Sequence, residues 1–421
     1  MRAAAKHLPL ATALSVVLAG GLAAAPALSQ DKIKLEVWSW QVIYEDNYER
    51  IFEIFEKNHP NIEVDFRGFV NNEYPTILKT GLSGPGGPDL AMLHPYRAIA
   101  PYALAGQLTP IDQTQVPELA NFTPEAIAAA SLDDKIWGVP FATQALGVFY
   151  NADIFDKLGL KEPTKASEIA PMIQKIKDGG FIPYAVTGNA GWQLVNLFDI
   201  LVGSTYGGKD FLTKAVSGET SFDSPSMVKA FEAYRALESD FPPFVSGVGH
   251  PDARALFVGG KAAMFPGGAW ELALIRQNAP DMKLGFFSMP SDESGGPAPT
   301  PGYEDGSIGM SAATEHPAEA LELLRWMGTP EFGNAFTEEL RQLSSVKGVT
   351  PSDPVLAEIA ANFAANPVPV VWVTEYFGTA APAPFTTLGV LLANLMVNAT
   401  DPAAAAKQLE SDAREFAAQN K

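Results

Sequence analysis

The sequence predicts an α/β protein built as two domains, and three observations carry that prediction. From residue 33 the chain alternates strand-like and helix-like periodicity in the order strand, helix, strand, helix, strand, the rhythm of a mostly parallel sheet with helices on its faces. Setting an N-terminal leader aside leaves roughly 390 residues, more than a single hydrophobic core usually supports. The chain contains no cysteine, which removes disulfides, thiolate zinc sites and cysteine nucleophiles together and leaves stability to core packing.

The leader is read over residues 1–29. Arg2, Lys6 and His7 form a basic start, residues 8–25 are apolar, and Ala25-Pro-Ala27-Leu-Ser29 supplies the small residues of a secretory cleavage site. A mature chain would begin at Leu28 or Gln30, and with no cysteine after the signal there is no attachment point for a lipid. Acidic residues outnumber basic ones 48 to 29, for a net charge of −19. Such a surface repels nucleic acid and anionic membranes, so neither is expected as a partner, and it argues mildly against a strongly anionic substrate unless a local arginine cluster captures one.

The elements follow in order. Ile33-Lys-Leu-Glu-Val-Trp-Ser-Trp40 alternates as a strand; a helix comes next, with Tyr48, Ile51, Phe52 and Phe55 on one face, and residues 62–66 alternate again. A helix over 74–82 ends in Gly84-Pro-Gly-Gly-Pro88, and residues 89–93 form a third strand. In parallel sheets ligands bind beyond the carboxyl ends of the strands, where Trp40, Gln41, His94 and Arg97 lie. Residues 134–140 read as a hairpin-like turn, 141–150 as a strand, and Pro163-Thr-Lys-Ala-Ser-Glu168 as a capped helix start. Residues 290–306 lose all periodicity, a short strand follows over 308–311, and helices are expected over 317–327 and 403–419, the last capped by Asp401-Pro402.

The segment Phe257-Val-Gly-Gly-Lys-Ala-Ala-Met-Phe-Pro-Gly-Gly-Ala-Trp270 reads as a glycine turn, a buried strand over 262–265, a close backbone approach and a helix starting after Trp270. It is not a phosphate-binding loop, since Ala255 and Ala262 stand where the upstream Gly and the Ser or Thr would be needed. This segment resembles the signature of the extracellular solute-binding proteins that serve ATP-driven importers, in particular the family carrying sugars and oligosaccharides. The Gly-x-Pro turn at 138–140 and the Phe149-Tyr-Asn151 strand resemble further landmarks of that family.

The resemblance implies a two-lobed periplasmic binding-protein fold, each lobe a mostly parallel sheet flanked by helices, with a ligand cleft between them. It places residues 31–141 and 290–328 in the N-terminal lobe, and residues 142–289 and 329–421 in the C-terminal lobe. It also implies a soluble periplasmic monomer that binds a carbohydrate, without a cofactor, and delivers it to the permease subunits of an ABC transporter. Alternatives are a secreted carbohydrate-active enzyme, or the same fold carrying a non-sugar solute such as a polyamine or a phosphate ester.

Catalytic motifs are thin. No two of His7, His59, His94, His250 and His316 sit at metal-ligand spacing, and no Gly-x-Ser-x-Gly elbow is present. Aromatic residues carry more signal, because the C–H faces of a sugar ring stack on an indole or phenol while its hydroxyls need polar partners. Trp38, Trp137 and Trp326 are read as structural. Trp40 at a strand exit, Trp192 in the polar loop Thr187-Gly-Asn-Ala-Gly-Trp-Gln193, Trp270, and Trp372 with Tyr376 are the candidates, joined by Tyr303 and Asp305. The polar candidates are Gln41, Glu45, His94 and Arg97 at strand exits, Tyr74 at a helix start and Gln144 after the first crossing.

Overall fold

A computed structural model describes residues 32–376 and 383–419; the leader expected over residues 1–29 lies outside the described residues. The first strand, β1 (Ile33–Ser39), lies between β2 (Ile62–Gly68) and β3 (Leu90–Leu93), parallel to both. Helix Glu45–Asn58 buries the four residues that its periodicity selects, Tyr48, Ile51, Phe52 and Phe55. Tyr48 stacks on Phe66 of β2 with ring centroids 4.2 Å apart, which fixes the helix across the sheet.

Short strands β4 (Leu108–Thr109), β5 (Ser131–Leu132) and β6 (Lys135–Ile136) follow. The hairpin lies earlier than the 134–140 expected: β5 and β6 pair over 131–136, turned by exposed Asp133 and Asp134 with φ of 51° and 59°, and residues from 139 already belong to a long strand. Two adjacent left-handed residues make the turn whose twist matches paired strands, and Asp tolerates that conformation better than most side chains. These neighbouring carboxylates therefore serve a turn.

The second lobe is built on β7 (Val139–Asn151), β8 (Ile182–Tyr184), β9 (Ala262–Gly268) and β10 (Leu284–Phe287). β7 alternates between two cores: Leu146 and Val148 face a helical layer containing Phe198, Phe231 and Leu392, while Ala145 and Phe149 face Phe257, Phe265 and Phe286. The chain then forms β11 (Thr300–Ser311), β12 (Leu343–Ser344) and β13 (Pro367–Pro369). One sheet runs through both lobes in the order β2-β1-β3-β11-β7-β9-β8.

The fold is mixed α/β, and it departs from a mostly parallel sheet at its centre. β1, β2 and β3 are mutually parallel and β8 is parallel to β9, but β11 is antiparallel to both β3 and β7, and β7 is antiparallel to β9. The cause is that β7 and β11 are long strands running in opposite directions from one lobe to the other.

Packing also locates the crossings. β7 leaves the first core after Ala142 and enters the second at Ala145; on β11, Tyr303 packs against the second core and Ile308 belongs to the first. Residues 290–303, expected in the first lobe, thus run along the second, where Ser167 donates to Glu293 at 2.6 Å. Helix Pro330–Leu340, expected in the second lobe, buries Phe332, Phe336 and Leu340 in the first core, and the third crossing falls after Val346 rather than at Gly328. The i, i+4, i+8 spacing of those three side chains puts them on one face toward Trp326 and Phe141.

All three crossings meet at one buried carboxylate. Glu304 of β11 accepts hydrogen bonds from Thr143 Oγ1 of β7 at 3.0 Å and from Ser345 Oγ, just after β12, at 2.6 Å. Pairing between β11 and β7 breaks register on either side of Gly306, whose φ of 156° and close approach to its neighbours exclude a side chain: a Cβ there would sit 2.4 Å from the Leu93 carbonyl oxygen. β11 bends at that glycine.

Candidate functional site

A cleft of about 720 Å³ opens between the lobes, within the range of small-molecule sites. Its first-lobe wall is the carboxyl end of the β1–β3 sheet. Trp40 leaves β1 there and stacks on His94, which leaves β3, with ring centroids 4.0 Å apart and planes 22° apart. Burial pushes the His94 imidazole down to about 4, so it is a neutral flat ring at ordinary pH. Gln41 completes this wall, its Oε1 accepting from Tyr48 O–H at 2.9 Å.

The second-lobe wall grows from the glycine-rich segment. β9 is buried along its whole length and delivers Gly267 and Gly268 to the cleft edge. The indole of Trp270 folds back over Gly268, where an added Cβ would lie 2.0 Å from the ring; the glycine is needed to seat the tryptophan. Helix Glu271–Asn278 begins next. Trp270 Nε1 donates to Glu271 Oε1 at 2.8 Å, and Trp192 sits against the same indole with centroids 5.8 Å apart.

Glu271 is fully buried and ringed by donors. Arg254 binds Oε2 through Nε and Nη2, each at 2.9 Å, and His250 Nε2 lies 2.5 Å from Oε1. Burial by itself would raise this carboxyl, but the charges and hydrogen bonds of His250 and Arg254 outweigh it and hold the group down to about 2. Glu271 is therefore a fixed anion that orients the Trp270 indole. The lobes touch here: Tyr44 O–H, from the short turn Val42–Tyr44 of the first lobe, donates to the Trp270 carbonyl at 2.6 Å.

The floor is the hinge itself. Asp305 accepts from Gln144 Nε2 at 3.1 Å, and Gln144 also donates to Gln342 Oε1 at 2.9 Å, tying the three crossings together a second time. Burial pushes Asp305 up to about 6 and its neighbour Glu304 up to about 7, in each case against the hydrogen bonds they receive.

The structure brings Trp40, Gln41, His94, Trp192, Trp270, Tyr303 and Asp305 to the cleft surface. The other six residues named from the sequence lie elsewhere. Trp372 is 0 % exposed and lies against Phe222 and Tyr376 in the second core, with Tyr376 buried beside it. Tyr74 is buried behind the first wall, its O–H bonded to the carbonyls of Trp38 and Met92. Gln144 lies beneath the floor, Glu45 accepts from the Gly68 amide at 2.6 Å, and Arg97 sits on the turn Tyr96–Ile99 outside the cleft lining.

Sequence reasoning missed His250, Arg254, Asn196 and Gln342, all of which line the cleft. A signal existed for the first two: they stand at i and i+4 on helix His250–Val258 and so share one face. Asn196 and Gln342 had none, since an amide in a helix or a loop carries no pattern of its own. Among the described residues no group of three or more His, Asp or Glu side chains could hold a metal.

Residues 38–333 match the family of bacterial extracellular solute-binding proteins, and the chain belongs to that family. A curated relative, the multiple sugar-binding protein of Streptococcus mutans serotype c, is 25 % identical over 333 residues, covering 76 % of this chain and 77 % of its own. Among solved structures, one from work on xylan utilization by the thermophilic bacterium Caldanaerobius polysaccharolyticus aligns with a TM-score of 0.79 at 23 % identity, covering 90 % of this chain and 99 % of the other. A chitin oligosaccharide binding protein aligns with a TM-score of 0.78 at 21 % identity, covering 91 % and 99 %. At these identities the structures establish the shared two-lobed fold. No helix among the described residues is long and apolar enough to cross a membrane.

Proposed function

We propose that this member of the solute-binding family captures a carbohydrate between its lobes and delivers it, chemically unchanged, to the permease subunits of an ATP-driven importer. The observation that carries the reading is the set of indoles on the two walls, Trp40 on the first lobe and Trp192 with Trp270 on the second, facing a floor of hydrogen-bonding groups. Flat apolar faces on both sides and polar groups between them match a sugar ring, which is apolar on its C–H faces and polar around its edge. The sugar-binding names of relatives agree with this chemistry. Trp40, Gln41, His94, Trp192, Trp270, Tyr303 and Asp305, with His250, Arg254, Asn196 and Gln342, are the ligand-contacting set of this proposal.

Capture works by closure. Only the closed form lets both walls touch one ligand, so ligand favours it by the difference in affinity between the two forms. Rotation is concentrated in the three strands that meet at Glu304, where few connections resist it.

Thermal melting against a panel of oligosaccharides, followed by calorimetry, solution scattering and product analysis on every hit, tests the proposal. A raised melting temperature, a smaller radius of gyration and intact sugar are expected. Turnover of the sugar would replace the reading by a carbohydrate-active enzyme, and stabilisation by polyamines or phosphate esters alone would replace it by a non-sugar transporter. Export as a monomer through the signal at residues 1–29 belongs to the same proposal. Mass spectrometry of the native protein should find a chain beginning at Leu28 or Gln30 in the periplasmic fraction, with no lipid adduct.

A further inference from the structure

The hinge floor presents polar atoms that the protein itself does not satisfy. Gln342 Nε2 and Asn196 Oδ1 are buried and without a hydrogen-bond partner, although both side chains line the cleft. Groups in that state cost stability unless something else supplies the bond, and at a cleft surface water or a ligand can do so. Gln342 Nε2 is a donor and Asn196 Oδ1 an acceptor, and beside them stands the Asp305 carboxylate, acceptor-only when ionised.

The charge around these atoms is one-sided. No ion pair reaches Asp305 among the described residues; its hydrogen bond comes from the neutral Gln144 amide. Among the described residues lining the cleft, Arg254 is the only Lys or Arg, and it is paired with Glu271 through Nε and Nη2. A ligand carboxylate would therefore meet the Asp305 anion, while Arg254 and His250 are already paired with Glu271, in surroundings where water screens little. A hydroxyl or an ammonium meets an acceptor. We infer that Asp305 makes this cleft a charge filter, admitting neutral and amino sugars through Asp305, Gln342 and Asn196 and rejecting sugars that carry a carboxylate. The inference rests on the carbohydrate reading above and goes further by naming the class of sugar.

Matched probes test it: glucose, glucosamine and glucuronate, galactose, galactosamine and galacturonate, and the corresponding short oligomers, titrated into the full mature protein at pH 7.5. Each set should show the acid bound at least about a hundredfold more weakly than its neutral or amino partner. In Asp305→Asn the gap should shrink to about tenfold or less, because the amide keeps an acceptor and removes the charge.

A second arm needs no variant. Lowering the pH of the wild-type protein from 7.5 to 5 protonates Asp305 while a uronate stays ionised, so the acid-to-neutral affinity ratio should rise. The groups facing Asp305 are Glu304 beside it, Gln144 and Gln342 beneath it, Tyr303, and Tyr44 and Tyr48, whose hydroxyls are pushed upward in pKa chiefly by burial and further by the Asp305 charge. His94 stays neutral over this range, and His250, Arg254 and Glu271 stand across the cleft. Protonation of Glu304 at the hinge affects closure on both sugars alike and cancels in the ratio. An acid bound as well as its neutral partner, or a gap unchanged both in Asp305→Asn and at pH 5, overturns the filter while leaving the carbohydrate reading standing. No binding by any sugar of any charge removes both.

Discussion

The second-lobe wall and the hinge each bury a glutamate, and they treat it in opposite ways. Glu271 is 0 % exposed and Glu304 is 9 % exposed, so burial acts on both in the same direction and favours the neutral acid. The outcomes differ, with Glu271 held at about 2 and Glu304 pushed up to about 7. The difference lies in the partners. A guanidinium and an imidazole can balance a buried charge, whereas the hydroxyls of Thr143 and Ser345 only replace part of its lost hydration. The wall thus carries a permanent anion that fixes Trp270, and the hinge carries a group whose charge changes near neutral pH.

Removing the wall's anion should produce the largest effect. Glu271→Ala leaves the partly buried Arg254 and His250 without their shared partner and frees the Trp270 indole, and it should destabilise the protein by about 3–5 kcal/mol in urea unfolding. A loss under about 1 kcal/mol would mean that the network contributes no net stability. The same comparison fixes the acid limb of the stability curve. A carboxyl depressed in the native state contributes stability above its unfolded value near 4.5, and this is lost as pH falls toward about 2. Thermal unfolding between pH 2 and 5 should therefore be steeply pH-dependent in the wild type and flatter in Glu271→Ala.

Truncating an aromatic on the same wall should act on binding instead of folding. Trp270→Ala and Trp192→Ala are each expected to weaken sugar affinity by about 1–3 kcal/mol in calorimetry, with little change in melting temperature, since both indoles are only partly buried. Trp372→Ala is the contrasting variant: its indole is sealed in the second core, so it should lower the melting temperature and leave affinity per folded molecule unchanged.

The smallest effect should come from the hinge and carry the opposite sign. A carboxyl whose native pKa is raised contributes stability below its unfolded value near 4.5 and loses it as pH rises through about 7. Glu304→Gln mimics the protonated form, so at pH 8 it should be more stable than the wild type by about 1–2 kcal/mol, an advantage that vanishes below pH 4.5. A destabilised variant at pH 8 would show that the hydroxyls satisfy the carboxylate better than they do an amide.

Much of this architecture was legible in the sequence, because local periodicity is a physical consequence of which face must be buried. Tyr48, Ile51, Phe52 and Phe55 face the sheet as their spacing requires, and the apolar run after Lys261 forms β9 and hands Trp270 to a helix start. Trp40 reaches the cleft because a strand of period two ends beside it. These are properties of short segments, and short segments carry them in their order of residues.

Other features depend on residues that meet from distant parts of the chain. Trp270, with its signature segment behind it, and the weaker candidate Trp372 are both assigned to the cleft from the sequence; Phe222 and Tyr376 seal Trp372, and Gly268 leaves Trp270 at a cleft edge. Helix Pro330–Leu340 joined the first lobe because Phe332, Phe336 and Leu340 found their hydrophobic partners there, which no local pattern specifies. The charge states of Glu271 and Glu304 were set in the same way. Each is an ordinary glutamate in the sequence, and the free energy that separates them comes from who stands within 3 Å after folding: Arg254 and His250 from one neighbouring helix, or two hydroxyls from two crossing strands.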